Sequence, residues 1–439
     1  MGRKLVEVSN WNFDASMLFA EKELSLMEGE HESEICKGLK TYVKYEREVN
    51  LGPIGATVRD IAEFNPEAID IINENTDIFE IIPRPYSHDL LILRTDKGFE
   101  KNVSKGLKIL EEHFENVNTK YFLPPEIMLT SEQIKILSDL GFEGTFIHKS
   151  RYNPKIRKFI PDEPYIVEGV LGSELICIPF QDTNLRKVYH RILQGNMEPS
   201  SFSKHLKEIK HDTIFHWKDE ETDYLNLEGV SIRGKIFEDE KKNNIERKKL
   251  SEIDKYIEQC AEKYTDSDVR YSYQQGGTLI CYPRQSLNSW LGTLHGYPIQ
   301  REVEKYELKI FDEDRKYPEC IMNLLLLAMN SDIFSSTEKP NTDVSININK
   351  ISEYSGKSPE NILSSNSVYR IGIDIDEIKN NIAKVTFLRS PRYHEGEKIV
   401  AYLKELLKDQ NKIYEFLGEW KNGTPDLQKL YARVKPDIV

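Results

Sequence analysis

Cysteine is scarce in this 439-residue chain: Cys36, Cys177, Cys260, Cys281 and Cys320 form an odd, scattered set. No Cys-x-x-Cys pair occurs, which argues against both a disulfide framework and a zinc ribbon, and a reducing cytoplasm fits best. Long apolar runs are missing as well. The longest, Ile321 to Met329, is interrupted by Asn323 and reads as a buried helix, and Met1-Gly2-Arg3-Lys4-Leu5 opens without the apolar stretch of a secretion signal, so no membrane association is expected. Positive charge is in deficit. With 60 basic against 73 acidic residues the net charge is −13, a field that repels a phosphate backbone and argues against nucleic acid as a partner. Internal repeats and low-complexity tracts are also lacking. What remains, 39% hydrophobic and 30% charged, is the balance of an ordinary folded protein, long enough for two or three domains or for one barrel with an appended domain.

The first half alternates short β-rich runs with amphipathic helices, the pattern of a mostly parallel α/β fold. Strands are expected at Lys4–Val8, Val49–Gly52, Phe79–Ile82, Tyr121–Leu123, Gly144–Ile147, Leu175–Pro179 and Thr213–Trp217, enough to close a barrel. Between them Thr57 to Asn75 reads as two short helices because of Pro66, and Phe99 to Phe114 as one. Thr130-Ser131-Glu132-Gln133 forms a capping box ahead of a helix that Gly141 stops. From about Phe237 the composition becomes heavily charged with helical periodicity, so a first domain is placed at 1–236 and a helical one at 237–335 that includes a long helical region from Tyr306 to Phe334. Ser335 to Thr342 is a linker signal. Beyond it 336–439 reads as a small α+β region with a strand at Val344–Ile348, a hairpin of Val368–Ile375 with Ala383–Leu388, and a closing helix from Glu397 to Leu417. The hairpin-containing end is a candidate surface for interaction or for assembly into a homo-oligomer.

In an α/β barrel the reactive groups leave the C-terminal ends of the strands. Glu126 in Leu123-Pro124-Pro125-Glu126 meets that condition, with two prolines to hold the carboxylate in place, although alone it reads as one solvated loop acid among many. Asp219 in Trp217-Lys218-Asp219-Glu220-Glu221-Thr222 also meets it, with a charged surface turn as the plainer reading. Two carboxylates at one barrel mouth are what glycoside cleavage requires, one attacking the anomeric carbon and one protonating the leaving oxygen. His88 could hydrogen-bond sugar hydroxyls, with Tyr86 offering a stacking face. Trp11, Trp217 and Trp290 could pack on the apolar faces of sugar rings, core packing being the better reading for Trp290 and for Trp420.

The order of several segments resembles glycoside hydrolase family 57, particularly its amylase-like branch. They are Leu51-Gly52-Pro53-Ile54-Gly55, Phe64-Asn65-Pro66-Glu67-Ala68, Asp77 to Ile82, Tyr86-Ser87-His88-Asp89-Leu90, Phe122 to Ile127, Asp139 to Gly144, and Asp219-Glu220-Glu221-Thr222. The resemblance covers roughly residues 45 to 225. It implies an incomplete seven-stranded (β/α) barrel, a helical domain closing the cleft, and retaining chemistry on α-linked glycans with Glu126 as nucleophile and Asp219 as acid/base. Three positions depart from the family pattern. Ser9-Asn10-Trp11-Asn12 stands where a His-Gln-Pro motif is usual, so Asn10 and Trp11 would make a different substrate contact there; Leu129 replaces a tyrosine, and Glu220 an aromatic.

The leading expectation is therefore a glycosidase or transglycosidase acting on an oligosaccharide or polysaccharide, with no cofactor or metal required. A polysaccharide deacetylase has a related barrel but needs an aspartate and two histidines as metal ligands, and only His88 is suitably placed. A glycan-binding protein that keeps the barrel without turnover is the non-enzymatic alternative; the altered first motif favours it and the retained carboxylate pair opposes it. From the C-terminal half, Trp290 or His295 is expected at the cleft.

Overall fold

The computed structural model describes residues 3–12, 33–148, 162–168, 170–180, 183–265, 296–312, 316–330, 342–364, 373–379, 382–387 and 393–437. Trp290, His295 and nearly all of the expected linker lie outside them. Among the described residues, ten strands form the N-terminal part: β1 (Arg3–Trp11), β2 (Val49–Pro53), β3 (Phe79–Ile81), β4 (Tyr121–Phe122), β5 (Gly144–His148), β6 (Tyr165–Glu168), β7 (Glu174–Phe180), β8 (Thr213–Asp219), β9 (Ile245–Arg247) and β10 (Glu262–Thr265). All seven expected strands are present within a residue or two at most ends. The additions β6, β9 and β10 are three or four residues long, too short for a period-2 pattern to stand out.

These strands make two sheets. In one, the order is β3-β2-β1-β8 with β9 also against β1, and every pairing is parallel. In the other, the order is β10-β6-β7-β5-β4, parallel except for β6 against β7. Backbone bonds also join the sheets: Ile81 N–H donates to Asn116 O at 2.9 Å, and Leu123 N–H to Pro83 O at 2.9 Å. At the opposite side β7 lies next to β8. Parallel strands covered on their outer side by helices bury both faces, which is why Val6, Val8, Val49, Leu51, Phe79, Phe146 and Ile178 are fully buried. Each such side chain contributes roughly 1.5–3 kcal/mol through burial.

The helices follow their local signals. Gly55–Phe64 and Pro66–Glu74 are separate because Pro66 restricts Asn65 to a non-helical backbone. Thr130 and Gln133 form the capping box of Ser131–Asp139, and Gly141 takes the left-handed conformation just after it, with φ 91°. The long helix Asp96–His113 passes so close to the chain after β3 that a Cβ on Gly106 would sit 2.3 Å from the carbonyl oxygen of Arg84.

The expected boundary after residue 236 requires correction. It falls inside the helix Gly229–Lys242, and the chain beyond it returns twice to the N-terminal sheets as β9 and β10, so 237–265 is not a helical domain of its own. In the expected helical region from Tyr306 to Phe334, helical structure reaches Asp312, residues 316–318 are non-helical, and helix resumes at Glu319, while 313–315 and 331–334 lie outside the described residues. The closing helix is two, Tyr393–Lys408 and Ile413–Lys421, followed by a third, Pro425–Val434. Trp420 is buried and stacks on Phe416 with centroids 5.7 Å apart, a core residue. Three antiparallel strands, β11 (Thr342–Asn347), β12 (Ile373–Lys379) and β13 (Ile382–Phe387), are ordered β11-β13-β12; β12 extends past the expected end at Ile375 to Lys379, and 368–372 lie outside the described residues. No helix among the described residues is long and apolar enough to cross a membrane.

The C-terminal helix is locked onto the N-terminal part by charge. Arg433 grips both carboxylate oxygens of the buried Asp60, and Arg59 pairs with Asp437, which also accepts from Lys105 at 2.7 Å and Lys108 at 2.5 Å.

Candidate active site

The C-terminal ends of β1 and β8 carry the first half of the site. Register places Asn10 opposite Asp219, and the Asn10 amide Nδ2 donates to Asp219 Oδ1 at 2.9 Å. Arg84, buried just after β3, donates to Asn10 Oδ1 and to Gly52 O, so the amide is oriented from below by a guanidinium. The other carboxylate oxygen of Asp219 is held by Arg186 from the helix Thr183–Leu193. Burial alone would raise the Asp219 pKa. The Arg186 guanidinium, the Asn10 hydrogen bond and the nearby rings of His190 and His88 outweigh it and hold the carboxyl below its ordinary value. Burial, together with the same arginine, pushes His190 down to about 4.

Glu126 follows β4 on a short turn formed by Pro125–Ile127. Both Glu126 (φ 51°) and Ile127 (φ 53°) have left-handed backbones, and a β-branched residue there is a genuine outlier. Such conformations cost about 1–3 kcal/mol each and persist where the surroundings over-determine them. Here Pro124 and Pro125 fix the approach, and the burial of Ile127, Met128 and Leu129 fixes the exit. The Glu126 side chain is 19% exposed, and its Oε1 lies 4.0 Å from Nε2 of His88. His88 therefore neighbours Glu126 and also acts electrostatically on Asp219.

The expected aromatic contacts divide. Trp217 is half-buried, with the Arg186 guanidinium stacked 4.5 Å over its ring. Tyr86 and Trp11 are corrections: both are completely buried in the main core, and the Tyr86 hydroxyl donates to the backbone carbonyl of Arg433 in the C-terminal helix. Neither has a face to offer a sugar. The burial of Tyr86 depends on chain far away in sequence, which local pattern does not reveal. Trp290 lies outside the described residues.

Beneath Asp219 is a buried network of charge. Glu220 accepts from Arg233 at 2.5 Å, Tyr42 at 3.0 Å, Tyr224 at 2.9 Å and Ser9, with Lys218 Nζ at 3.3 Å. Asp223 takes Lys218 at 2.7 Å and Arg233 at 2.8 Å. Glu7 is paired with Arg247 at 2.7 Å and, against its burial, is brought down to about 2. Glu220, standing where the family pattern has an aromatic, is thus a structural anchor for the turn after β8. Sequence reasoning missed Arg84, Arg186, His190 and Lys218. Arg84 had a signal in its place beside His88; Arg186, one basic residue on an amphipathic helix, had none. Among the described residues, no three His, Cys, Asp or Glu side chains gather as a metal-binding group.

Comparison with known proteins finds one matching family model and several solved structures of similar fold. Residues 16–185 match the model of glycosyl hydrolase family 57. That stretch includes His88 and Glu126, ends before Asp219, and contains most of the motifs that resemble the family. No curated protein matches the sequence. Among solved structures, the chain is similar to the 4-alpha-glucanotransferase of Thermococcus litoralis, with a TM-score of 0.56 and 13% identity over 76% of this chain; it spans 56% of that protein. A GH57 branching enzyme from Thermococcus kodakaraensis gives a TM-score of 0.58 at 11% identity, covering 99% of this chain and 94% of that one. The alpha-amylase AmyC of Thermotoga maritima gives 0.56 at 11% identity over the whole of both. At such identities the likeness is one of fold.

Proposed function

We propose that this chain is a retaining glycosidase or transglycosidase of family 57 that acts on an α-linked glucan or a related oligosaccharide. Its support is a pair of carboxylates borne on different strand ends: Glu126 after β4, with Oε1 4.0 Å from His88, and Asp219 at the end of β8, held by Asn10 and Arg186. We read the two sheets as arcs of one incomplete seven-stranded barrel of β1, β2, β3, β4, β5, β7 and β8, in which the C-terminal strand ends face a common mouth.

In the first step Glu126 attacks the anomeric carbon while Asp219 gives its proton to the departing oxygen, leaving a glycosyl ester on Glu126. In the second, Asp219 takes a proton from water or from an acceptor sugar, whose oxygen displaces Glu126. Retention calls for the two carboxyls about 5–5.5 Å apart during reaction. Asn10 and His88 would supply hydrogen bonds to sugar hydroxyls, and Trp217 a stacking face. Relatives named for transfer, branching and amylase activity support either acceptor. Cysteine is scarce, and the four described ones, Cys36, Cys177, Cys260 and Cys320, are free, which favours a cytoplasmic setting.

The test is to incubate the protein with maltoheptaose and follow the anomeric protons by NMR. New α-anomer ahead of mutarotation is expected, along with longer oligosaccharides if sugar is the acceptor. Initial release of β-anomer would remove the retaining assignment. Binding without turnover in both wild type and Glu126→Gln would leave a glycan-binding protein.

A further inference from the structure

Trp217 and Asp219 are two residues apart on β8, so their side chains leave the same face of the strand. One group spans them. Arg186 lays its guanidinium 4.5 Å over the Trp217 ring and forms an ion pair with Asp219 Oδ2. The same cation thus covers a surface suited to a sugar ring and engages the carboxylate proposed to donate the proton. We propose that Arg186 is a substrate-displaced latch: a sugar ring stacking on Trp217 moves the guanidinium off the indole and thereby frees Asp219. This rests on the assignment of Asp219 as acid/base.

The chemistry requires some such release. A general acid must be protonated when substrate is bound, whereas an arginine within ion-pair distance favours the ionised form. Among the described residues, Asn10 from β1 hydrogen-bonds Asp219, and His190 from the helix of Arg186 and His88 from the chain after β3 favour its ionised form. With the guanidinium displaced, desolvation by the bound sugar favours the neutral acid, so Asp219 takes a proton from solvent and then passes it to the glycosidic oxygen. Arg186 is placed to move. Its side chain is 29% exposed, while Lys218 and Arg233 of the underlying network are 3% and 1% exposed and fixed. It is a positioning residue that acts through Asp219.

The decisive measurement is the titration of the Asp219 carboxyl, followed in carbon-13-aspartate protein by NMR and assigned with Asp219→Asn, in wild type, Arg186→Gln and Arg186→Lys. Loss of the guanidinium should raise the Asp219 midpoint by roughly 1–3 pH units, and lysine should restore most of it. Identical midpoints in wild type and Arg186→Gln would overturn the proposal. In a second experiment, maltoheptaose should change the emission of Trp217, identified with Trp217→Phe, and be accompanied by proton uptake that is lost in Arg186→Gln; binding with no change at Trp217 overturns the displacement. If the carboxyl responds as expected but Asp219→Asn keeps full turnover, the latch stands and the acid/base assignment fails, so the two claims separate.

Discussion

Nε2 of His88 stands 4.0 Å from Oε1 of Glu126, both groups held largely out of solvent. At that separation the ring neighbours the carboxylate without a full hydrogen bond, and a small adjustment on substrate binding would close the contact. Replacing His88 with alanine is expected to lower kcat/KM on maltooligosaccharides by about 10²-fold, as loss of one preorganised donor does in other enzymes. Steady-state kinetics with a parallel thermal melt would check this. Unchanged turnover would mean that His88 only packs.

The next residue, Asp89, gives the protein a pH-dependent stability. Its carboxyl is fully buried against Arg94 at 3.1 Å and Asn102 at 3.4 Å, and burial, despite Arg94, pushes it up to about 7. Between the ordinary value of 3.8 and about 7 the folded protein holds a proton that the unfolded chain has released. Stability attributable to this group therefore falls as pH rises through that window, by at most about 1.4 kcal/mol per pH unit, and levels off above it. Asp89→Asn should flatten that part of the profile in urea unfolding between acidic and neutral pH. A slope equal to that of wild type would show that Asp89 ionises normally.

The network beneath the site makes the opposite contribution. Glu220 and Glu7 are held below their usual values by their cationic partners even though burial pushes the other way. Their stabilisation is fully present above the unfolded glutamate value near 4.5 and is lost as pH falls towards 2. Arg233→Met would leave Glu220 and Asp223 to share Lys218 and should cost about 3–5 kcal/mol, with acid unfolding moved to higher pH. Chemical denaturation followed by circular dichroism would measure it, and a loss under about 1 kcal/mol would show that water enters and relieves the network.

Much of the N-terminal architecture was legible because it is written in local pattern. Alternating or continuous apolar runs marked seven strands, Pro66 divided a helix, and Thr130 with Gln133 announced another. The strand-end rule singles out Glu126 and Asp219 from the sequence alone. What stayed hidden depends on distant chain. Tyr86 and Trp11 resemble sugar platforms in sequence, yet Tyr86 is sealed by a helix that arrives 347 residues later. The left-handed backbone at Glu126 and Ile127 is no property of those residue types; surrounding packing enforces it. Arg186 matters only because its helix aims it at β8.

The roles given to Glu126 and Asp219 make different demands on the leaving group. Without a nucleophile no leaving group helps, so Glu126→Gln should lose at least about 10³-fold in kcat on maltoheptaose and on a dinitrophenyl α-maltooligoside alike. An acid is needed only when the departing oxygen is basic. Asp219→Asn should therefore fail on maltoheptaose yet form the glycosyl ester readily from the dinitrophenyl substrate, then stall because no base activates water. Added azide, which needs no base, should release it as an α-glycosyl azide. Burst kinetics and product NMR read all three outcomes. Equal losses on both substrates in Asp219→Asn, with no azide product, would remove Asp219 from proton transfer and leave His88 as the titratable neighbour of Glu126.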